Sequence, residues 1–165
     1  MLDARQVLVI DKDAEHRASV LEIIESMDVE PIPVDSVEAM VSRYASGSSG
    51  CVIADTDTVG VGGLEFLGNL SRLTCDLPAI LIAGNATVPM AVRAMQAGAV
   101  TVLERPCGRQ ELRDAVRLAL KQGATLRAHA ARLRKFRLRL AQLLADEMEA
   151  RIKEAAGELL PTGSW

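Results

Sequence analysis

Aromatic residues are scarce in this chain, and several other features that would indicate a particular class of protein are missing. Aromatics make up 2% of the 165 residues although 49% are hydrophobic, so the core must consist of aliphatic side chains. This composition disfavours the aromatic platforms on which nucleic-acid bases stack. The sequence has no apolar run near the ~20 residues that span a bilayer, and its first residues lack a signal-peptide pattern. We therefore expect a soluble, cytoplasmic protein without membrane contacts.

Cysteines with the spacing of a metal or redox site are also missing. Cys51, Cys75 and Cys107 are far apart, with no CxxC motif and no neighbouring pair of histidines. Metal and redox sites built from cysteine normally depend on such spacing. The pattern therefore predicts reduced thiols that are buried or incidental.

Short apolar runs are what the sequence does contain, and they recur along its first three quarters. They occupy residues 7–10, 31–34, 51–54, 78–83 and 100–103, with segments of helical character between them. Runs that are apolar on both faces are typical of parallel strands covered by helices on both sides. The pattern predicts an α/β fold with a doubly wound, five-stranded parallel sheet, flavodoxin-like, in the order 2-1-3-4-5.

Capping residues predict where some of the intervening helices begin and end. Asp35 is expected to be the N-cap of the second helix, and Thr87 followed by Pro89 should start another. Gly98 and Gly123 are each placed where a helix could end. The last of these positions also suggests a domain boundary.

Polar residues follow two strands that this order makes neighbours. The first predicted strand ends at Asp11 and the third at Asp55, and ligands of such sheets bind at the carboxyl ends of the strands. Asp13 lies close in sequence to Asp11, so the three carboxylates are expected to converge on one acidic cleft. Asp13 could instead simply cap the first helix. Lys12 lies between the two acids of the first strand end, where it could pair with the cleft carboxylates or point to solvent.

The charge of the chain is unevenly distributed along its length. Residues 1–122 carry 11 basic and 17 acidic side chains, whereas residues 123–145 carry 6 basic and none acidic. Residues 146–165 carry 2 basic and 5 acidic side chains. The change near Gly123 predicts a domain over residues 1–122, a helical extension over 123–160 and a tail over 161–165.

Apolar and small residues at heptad spacing run through this extension. The seam contains Leu112, Val116, Ala119, Gly123, Leu126, Ala130, Leu133, Arg137, Leu140 and Leu144, and it continues after a stutter at Met148, Ile152, Ala155 and Leu159. Such spacing is typical of coiled coils, so we expect a helix that forms a homodimer. The basic residues of 127–139 could contact DNA phosphates. Without interleaved aromatics or a helix-turn-helix pattern, a solvated face, or one that pairs with acidic residues 146–158, is favoured.

Four separated stretches together resemble a known family. The stretches VLVIDKD, CVIADTDTVGVGG, PAILIAGNATVPMAVRAMQAGAV and TVLERP follow one another in the order and spacing of the receiver domains of two-component response regulators, the CheY-like superfamily. The resemblance covers residues 5–122. It implies that Asp55 stands where the family accepts a phosphoryl group from a histidine kinase. It also implies a Mg²⁺ site beside it, for which Asp11, Asp13, Asp55 and Asp57 are the candidate ligands.

The same resemblance exposes four departures from the family pattern. Lys12 stands where the family has its second acidic residue, and Ala83 stands at the position of a Thr or Ser at the end of the fourth strand. Val102 replaces an aromatic residue, and Arg105 replaces the Lys that precedes a cis proline. An ammonium disfavours Mg²⁺, and alanine donates no hydrogen bond to a phosphoryl oxygen. We therefore expect Mg²⁺ binding to be weak or absent.

These departures favour an atypical receiver, a pseudo-receiver, that is not an enzyme and signals through protein contacts. Its expected partners are a histidine kinase or another signalling protein and a second copy of the chain; DNA would be contacted only through an output domain absent from this chain. The alternative is a working response regulator phosphorylated at Asp55, in which Asp11 and Asp13 share the metal. A flavodoxin-like enzyme or nucleotide binder is disfavoured, because DKDAEHR stands where a glycine-rich phosphate loop would be needed.

Overall fold

The computed structural model describes residues 5–44, 49–60, 63–73 and 77–159, without the side chains of Leu73 and Leu159. Its strands are β1 (Gln6–Ile10), β2 (Glu30–Val34), β3 (Gly50–Asp55), β4 (Ala79–Ala83) and β5 (Ala99–Glu104). Its helices are α1 (Ala14–Glu25), α2 (Val37–Arg43), α3 (Thr56–Val59), α4 (Leu64–Leu73), α5 (Val88–Gln96) and α6 (Arg109–Leu159).

The strands form one parallel sheet in the order β2-β1-β3-β4-β5, which confirms the predicted fold and strand order. In the central pair, Gln6 lies opposite Gly50 and Ile10 opposite Ala54. The first residues beyond this register are Asp11 on one strand and Asp55 on the other. Adjacent strands therefore deliver the two carboxylates to the same edge of the sheet.

Side chains of alternate strand residues build a separate apolar layer on each face of the sheet, as the alternation of Cβ directions requires. Val7, Val9 and Ile53 face one layer, which α1 and the first turns of α6 cover. Leu8 and Ile10 face the other layer, which α2, α4 and α5 cover. Both faces are buried, and this explains why each strand is a nearly continuous apolar run in the sequence.

The helix ends agree with the sequence in part. Thr87 caps α5, because its hydroxyl accepts a hydrogen bond from the Met90 N–H, and Gly98 follows that helix with φ 111°. The prediction for α2 was wrong by one residue, since the N-cap is Ser36 and not Asp35. The residues after β3, which carry no strong helical pattern, form the single turn α3.

Gly123 does not end a helix, and this prediction was wrong. It lies inside α6, which continues from Arg109 to Leu159. A glycine costs about 1 kcal/mol in a helix interior, which the packing of its neighbours can offset. The chain nevertheless forms two compact units, residues 1–126 and residues 127–165.

The predicted heptad seam divides between two environments. Leu112, Val116 and Ala119 are buried against the sheet in the first unit, so this part of the seam is the core-facing stripe of a domain helix. Leu133 and Leu140, in the second unit, are exposed. Within the described residues, no helix is both long and apolar enough to cross a membrane.

Two of the three cysteines can be described, and both are free thiols, as the sequence predicts. Cys51 is fully buried in β3, and burial raises the pKa of its thiol to about 12. Burial also raises the pKa of the half-buried Cys107. A thiol with a raised pKa holds little of the nucleophilic thiolate form. Cys75 lies outside the described residues.

Candidate functional site

Two buried carboxylates lie side by side at the carboxyl edge of the sheet. Asp11 is 2% exposed and Asp55 is 3% exposed. Asp11 follows β1 and Asp55 is the last residue of β3, and these strands are hydrogen-bonded neighbours, so the closeness of the two carboxylates is a direct result of the strand order. Buried charges are costly unless they are paired or hydrogen-bonded, and the contacts around these two residues define the site.

Asp55 is held by the turn that follows it. Its Oδ2 accepts hydrogen bonds from the Thr58 N–H at 3.1 Å and the Thr58 hydroxyl at 3.0 Å. Its Oδ1 accepts no hydrogen bond, although the Nη2 of Arg105 lies 3.1 Å away as an ion-pair partner. Burial raises the pKa of the Asp55 carboxyl; the Thr58 bond opposes that rise and the nearby Asp11 carboxylate adds to it.

Asp11 is held by the chain segment that enters α1. Its Oδ1 accepts a hydrogen bond from the Asp13 N–H at 2.9 Å, and its Oδ2 is in hydrogen-bonding contact with Nδ1 of His16. The Arg17 guanidinium donates to the backbone carbonyl of Asp11. One short stretch of chain thus fixes both oxygens of this carboxylate.

Arg105 brings a guanidinium to the same edge from the end of β5. Its backbone N–H donates to the carbonyl of Ala83 at 2.8 Å, which anchors the residue beside β4. Its Nη2 lies 2.8 Å from the Asp57 Oδ2 and 3.1 Å from the Asp55 Oδ1. A Cβ at Gly84 would lie 3.2 Å from this nitrogen, so glycine leaves room for the guanidinium. The Arg105–Pro106 peptide bond is cis.

Lys12 does not form the ion pair with the cleft carboxylates that the sequence suggested. Its Nζ donates to the backbone carbonyl of Asp57 at 3.3 Å, and its own N–H donates to the Thr58 hydroxyl at 3.0 Å. Within the described part of the chain, its ammonium lies beyond ion-pair distance of Asp11 and Asp55. The residue is exposed, and it ties the end of β1 to the turn after β3.

The four carboxylates proposed as metal ligands from the sequence separate into two groups. Asp11 and Asp55 converge, whereas the Asp13 Oδ1 caps α1 by accepting from the N–H groups of Glu15 and His16. The Asp57 side chain is 66% exposed and is engaged by Arg105. Among the described residues, the group that could hold a metal ion is Asp11, His16 and Asp55.

The positions of the family hydroxyl and aromatic residues carry apolar side chains here. Ala83 is buried at the end of β4, and its methyl group offers no hydrogen bond. Val102 is partly buried and packs against the core layer under α2, α4 and α5.

His16 and Thr58 are two residues of the site that the sequence reasoning missed. His16 lies one helical turn beyond the N-cap Asp13, and this spacing returns its ring to Asp11. The chain contains only two histidines, which could have directed attention to it. The position of Thr58 depends on the turn α3, which no periodic pattern in the sequence indicates.

Similarity to known proteins agrees with this geometry. Residues 7–117 match the family described as the response regulator receiver domain. Nodulation protein W of Bradyrhizobium diazoefficiens is 34% identical over 110 residues, which are 67% of this chain and 48% of that protein. The transcriptional regulatory protein FixJ of the same organism is 31% identical over 116 residues, which are 70% of this chain and 57% of that protein.

Two solved structures are also similar to this chain. The response regulator StyR has a TM-score of 0.70 at 25% identity and covers 96% of this chain and 79% of its own. Full-length FixJ from B. japonicum has a TM-score of 0.66 at 28% identity and covers 84% of this chain and 68% of its own. The chain spans about half the length of several curated relatives that it matches. With the sheet order, the paired strand-end carboxylates and these matches in agreement, the chain belongs to the receiver domain family of two-component response regulators.

Proposed function

We propose that this chain is an atypical receiver whose cleft is organised by its own cationic side chains and does not undergo ordinary Mg²⁺-dependent phosphorylation. The observation that carries this proposal is the set of groups around the Asp11 carboxylate: the His16 imidazole contacts its Oδ2, and Lys12 stands at the position of the second acid and donates to the Asp57 carbonyl. Arg105, at the position of the family Lys, keeps a cation 3.1 Å from the Asp55 Oδ1. Signals would then pass through contacts with a histidine kinase or another signalling protein.

The donor set at the strand ends does not fit the Mg²⁺ ion that receivers bind. Mg²⁺ prefers oxygen ligands in near-octahedral geometry and keeps several waters. Here an imidazole contacts the Asp11 Oδ2, and the position of the second acid is Lys12. The ammonium of Lys12 also donates a hydrogen bond to the backbone carbonyl of Asp57. These groups replace hard oxygen ligands and add positive charge, so the residues present do not fit the ion.

The surroundings of Asp55 also oppose nucleophilic attack on a phosphoryl group. A carboxylate that attacks phosphorus must ionise and needs cations that stabilise the charge gathering on the phosphoryl oxygens. Burial raises the pKa of Asp55, and its Oδ2 already accepts two hydrogen bonds from Thr58. Ala83 offers no hydroxyl to a phosphoryl oxygen. Arg105 would supply only part of the charge stabilisation that the reaction needs.

The test is chemical phosphorylation of the purified chain. Acetyl phosphate or beryllofluoride is supplied with Mg²⁺, and intact mass and oligomeric state are measured together, with Asp55→Asn as the matched control. We expect no stoichiometric modification that depends on Asp55. Stoichiometric modification of wild-type protein, absent from Asp55→Asn and accompanied by a change in oligomeric state, would instead establish a working regulator that is phosphorylated at Asp55.

The second compact unit supports a further part of the proposal, which is that the chain is a homodimer joined through residues 127–159. Leu133, Leu140, Leu144, Met148 and Ile152 are exposed at heptad-related spacing along the helix. A helix of this kind gains most of its stability by packing an apolar face against a partner. A second copy of the same chain supplies an identical face.

Truncation tests the dimer. A chain ending at Leu126, the last residue of the first compact unit, should be a monomer by light scattering if residues 127–159 form the interface. Its far-UV circular dichroism should still show a folded α/β domain. If the truncated chain remains a dimer, the interface lies on the receiver domain instead. Contact with DNA, in this proposal, requires an output domain outside the chain.

A further inference from the structure

Three side chains at the carboxyl edge of the sheet form a compact set of metal-ligand atoms. Asp11, His16 and Asp55 each place one such atom within 4.8 Å of the other two. Both carboxylates are buried, and the His16 side chain is 20% exposed. The cluster is therefore closed toward the core and open on the side of the imidazole.

We propose that this cluster binds a divalent metal of the class that accepts an imidazole ligand, with Zn²⁺ as the reference ion, and does not bind Mg²⁺. The inference rests on the proposed function in one respect, because it requires that Mg²⁺ leaves the cleft free. Imidazole nitrogen and carboxylate oxygen are common ligands of Zn²⁺. Three protein ligands leave a fourth position for water or for a group supplied by a partner.

Asp55 supplies an observation independent of the clustering. Its Oδ1 is buried and accepts no hydrogen bond, whereas its Oδ2 is fully engaged by Thr58. A buried oxygen that accepts no hydrogen bond is costly, and its occurrence calls for an explanation such as a bound ion. The Arg105 Nη2 lies 3.1 Å from this oxygen as its ion-pair partner and also engages Asp57, so a bound metal ion would share the Asp55 Oδ1 with this guanidinium.

The chain also holds the other two ligands in place. The Asp11 Oδ1 accepts from the Asp13 N–H, and the Asp13 side chain in turn caps the helix that carries His16. Contacts of this kind, one step removed from the metal, orient its ligands. Because hydrogen bonds from backbone N–H groups to the Asp11 and Asp13 carboxylates link the segments that carry Asp11 and His16, little chain entropy remains to be lost on binding.

The test titrates metal-free protein with Zn²⁺ by calorimetry and with Co²⁺ by visible absorption. We expect one ion per chain, a loss of about tenfold or more in affinity for His16→Gln, and no change for the control His129→Gln, which alters the other histidine. A folded circular dichroism spectrum for His16→Gln excludes unfolding as the cause of the loss. Mg²⁺ at the same concentrations should give no binding heat.

Three outcomes would overturn the inference: no Zn²⁺ binding by wild-type protein, equal affinity of wild-type and His16→Gln, or a thiolate-to-cobalt band that places the ion on cysteine. These outcomes are separate from failure of the proposed function. That failure would be Mg²⁺-dependent phosphorylation at Asp55, whatever Zn²⁺ does.

A different observation carries a second inference, which concerns residues 127–159. The seam of this unit is nearly symmetric about the point between residues 142 and 143. Positions equally far from that point hold similar residues: Ala130 matches Ala155, and Leu133 matches Ile152. Reversal of the helix therefore superimposes these outer seam positions on one another, whereas Arg137 falls opposite Met148 and Leu140 falls opposite Ala145.

The charges reverse sign about the same point. Residues 127–139 contain 6 basic and no acidic side chains, whereas residues 146–158 contain 5 acidic and 2 basic ones. These two segments are related by the same reversal. A parallel pair of helices would place like charges together, and an antiparallel pair would place basic beside acidic segments.

We infer that the proposed dimer is an antiparallel coiled coil of residues 127–159. The inference depends on the dimer and adds its orientation. Complementary charge on flanking positions selects partner orientation in such coils, and the matching outer seam positions allow apolar packing near both ends in this orientation.

Disulfide trapping tests the orientation. Ala130→Cys and Ala155→Cys are prepared separately, and each is oxidised alone and after mixing, with unsubstituted protein as the control for native thiols. Antiparallel helices predict a cross-link that forms between the two variants and not within either one alone. Cross-linking within each variant alone would show a parallel dimer and overturn the inference. A monomer by light scattering that never cross-links would remove the dimer itself.

Discussion

Two leucines of helix α6, Leu112 and Leu133, differ sharply in their exposure to solvent. Leu112 is 0% exposed and packs against the sheet, whereas Leu133, further along the same helix, is 46% exposed. Both belong to one continuous seam in the sequence. Heptad spacing alone therefore does not distinguish the core-facing stripe of a domain helix from a stripe that lies on an exposed helix surface.

Charged groups follow the same division. In the first unit, the buried carboxylate of Asp55 has a cation from its own chain in Arg105. In the second unit, the ion pairs Arg151–Glu147 and Lys153–Glu149 lie within the acidic segment, while residues 127–139 contain no acid. The first unit thus supplies partners for these apolar and charged groups within its own chain, whereas the corresponding groups of the second unit are largely exposed.

The largest expected effect separates the two leucines. Leu112→Ala should lower the free energy of unfolding by about 2–5 kcal/mol, because it leaves a cavity in a packed core. In monomeric protein, Leu133→Ala should change it by about 0.5 kcal/mol or less, as is usual for surface substitutions. Urea unfolding followed by far-UV circular dichroism measures both variants against wild-type protein.

Protein concentration provides the control for this comparison. If residues 127–159 join two chains, the cost of Leu133→Ala should grow with protein concentration, because association stabilises the folded state by mass action. The cost of Leu112→Ala should not depend on concentration in this way. If Leu133→Ala and Leu112→Ala lower the free energy of unfolding equally in monomeric protein, the two regions do not differ as described.

The fold and the central pair of carboxylates could be predicted from sequence for a simple physical reason. Strands buried on both faces must be apolar throughout, so the runs that end at Asp11 and Asp55 were visible as runs. Their adjacency followed from the strand order. The use of glycine as a signal for a helix end failed at Gly123, because tertiary packing outweighs the modest cost of one glycine in a long helix.

The remaining parts of the site depend on contacts that no periodic pattern encodes. Asp35 and Ser36 are both good capping residues, and the chain direction at the start of α2 decides between them. Lys12 has a flexible side chain whose partner, a backbone carbonyl, leaves no trace in the sequence. The contact of His16 with Asp11 needs the exact entry of the chain into α1.

An intermediate effect is expected when the first unit loses one of its own cations. Lys12→Asp replaces an ammonium by a carboxylate beside the cleft, which restores an oxygen ligand and removes a positive charge. Mg²⁺ affinity should rise about tenfold or more, since 1.4 kcal/mol of added attraction gives that factor. Calorimetry with Mg²⁺ measures it, with Lys121→Asp on the exposed surface of α6 as the matched charge control. Equal affinity of Lys12→Asp and wild-type protein would place Lys12 outside the electrostatics of the cleft.

The smallest expected effect concerns the cost of keeping a carboxylate buried in the first unit. Burial raises the pKa of Asp55 in the folded state above its ordinary value, so its ionisation opposes folding. Below its unfolded-state pKa the group is protonated in both states, so no charge is buried and the folded protein has its full stability. As pH rises through the folded-state pKa, the buried carboxyl ionises and this stability is lost. Asp55→Asn, a neutral replacement of the same shape, should therefore gain melting temperature relative to wild-type protein as pH rises from about 4 to 7 in metal-free buffer. Arg105 keeps Asp57 as a partner in the variant. If the melting-temperature difference instead shrinks or becomes a loss over this range, Arg105 and Thr58 more than offset the cost of burying the charge. The first unit would then supply complete partners for its own charged groups.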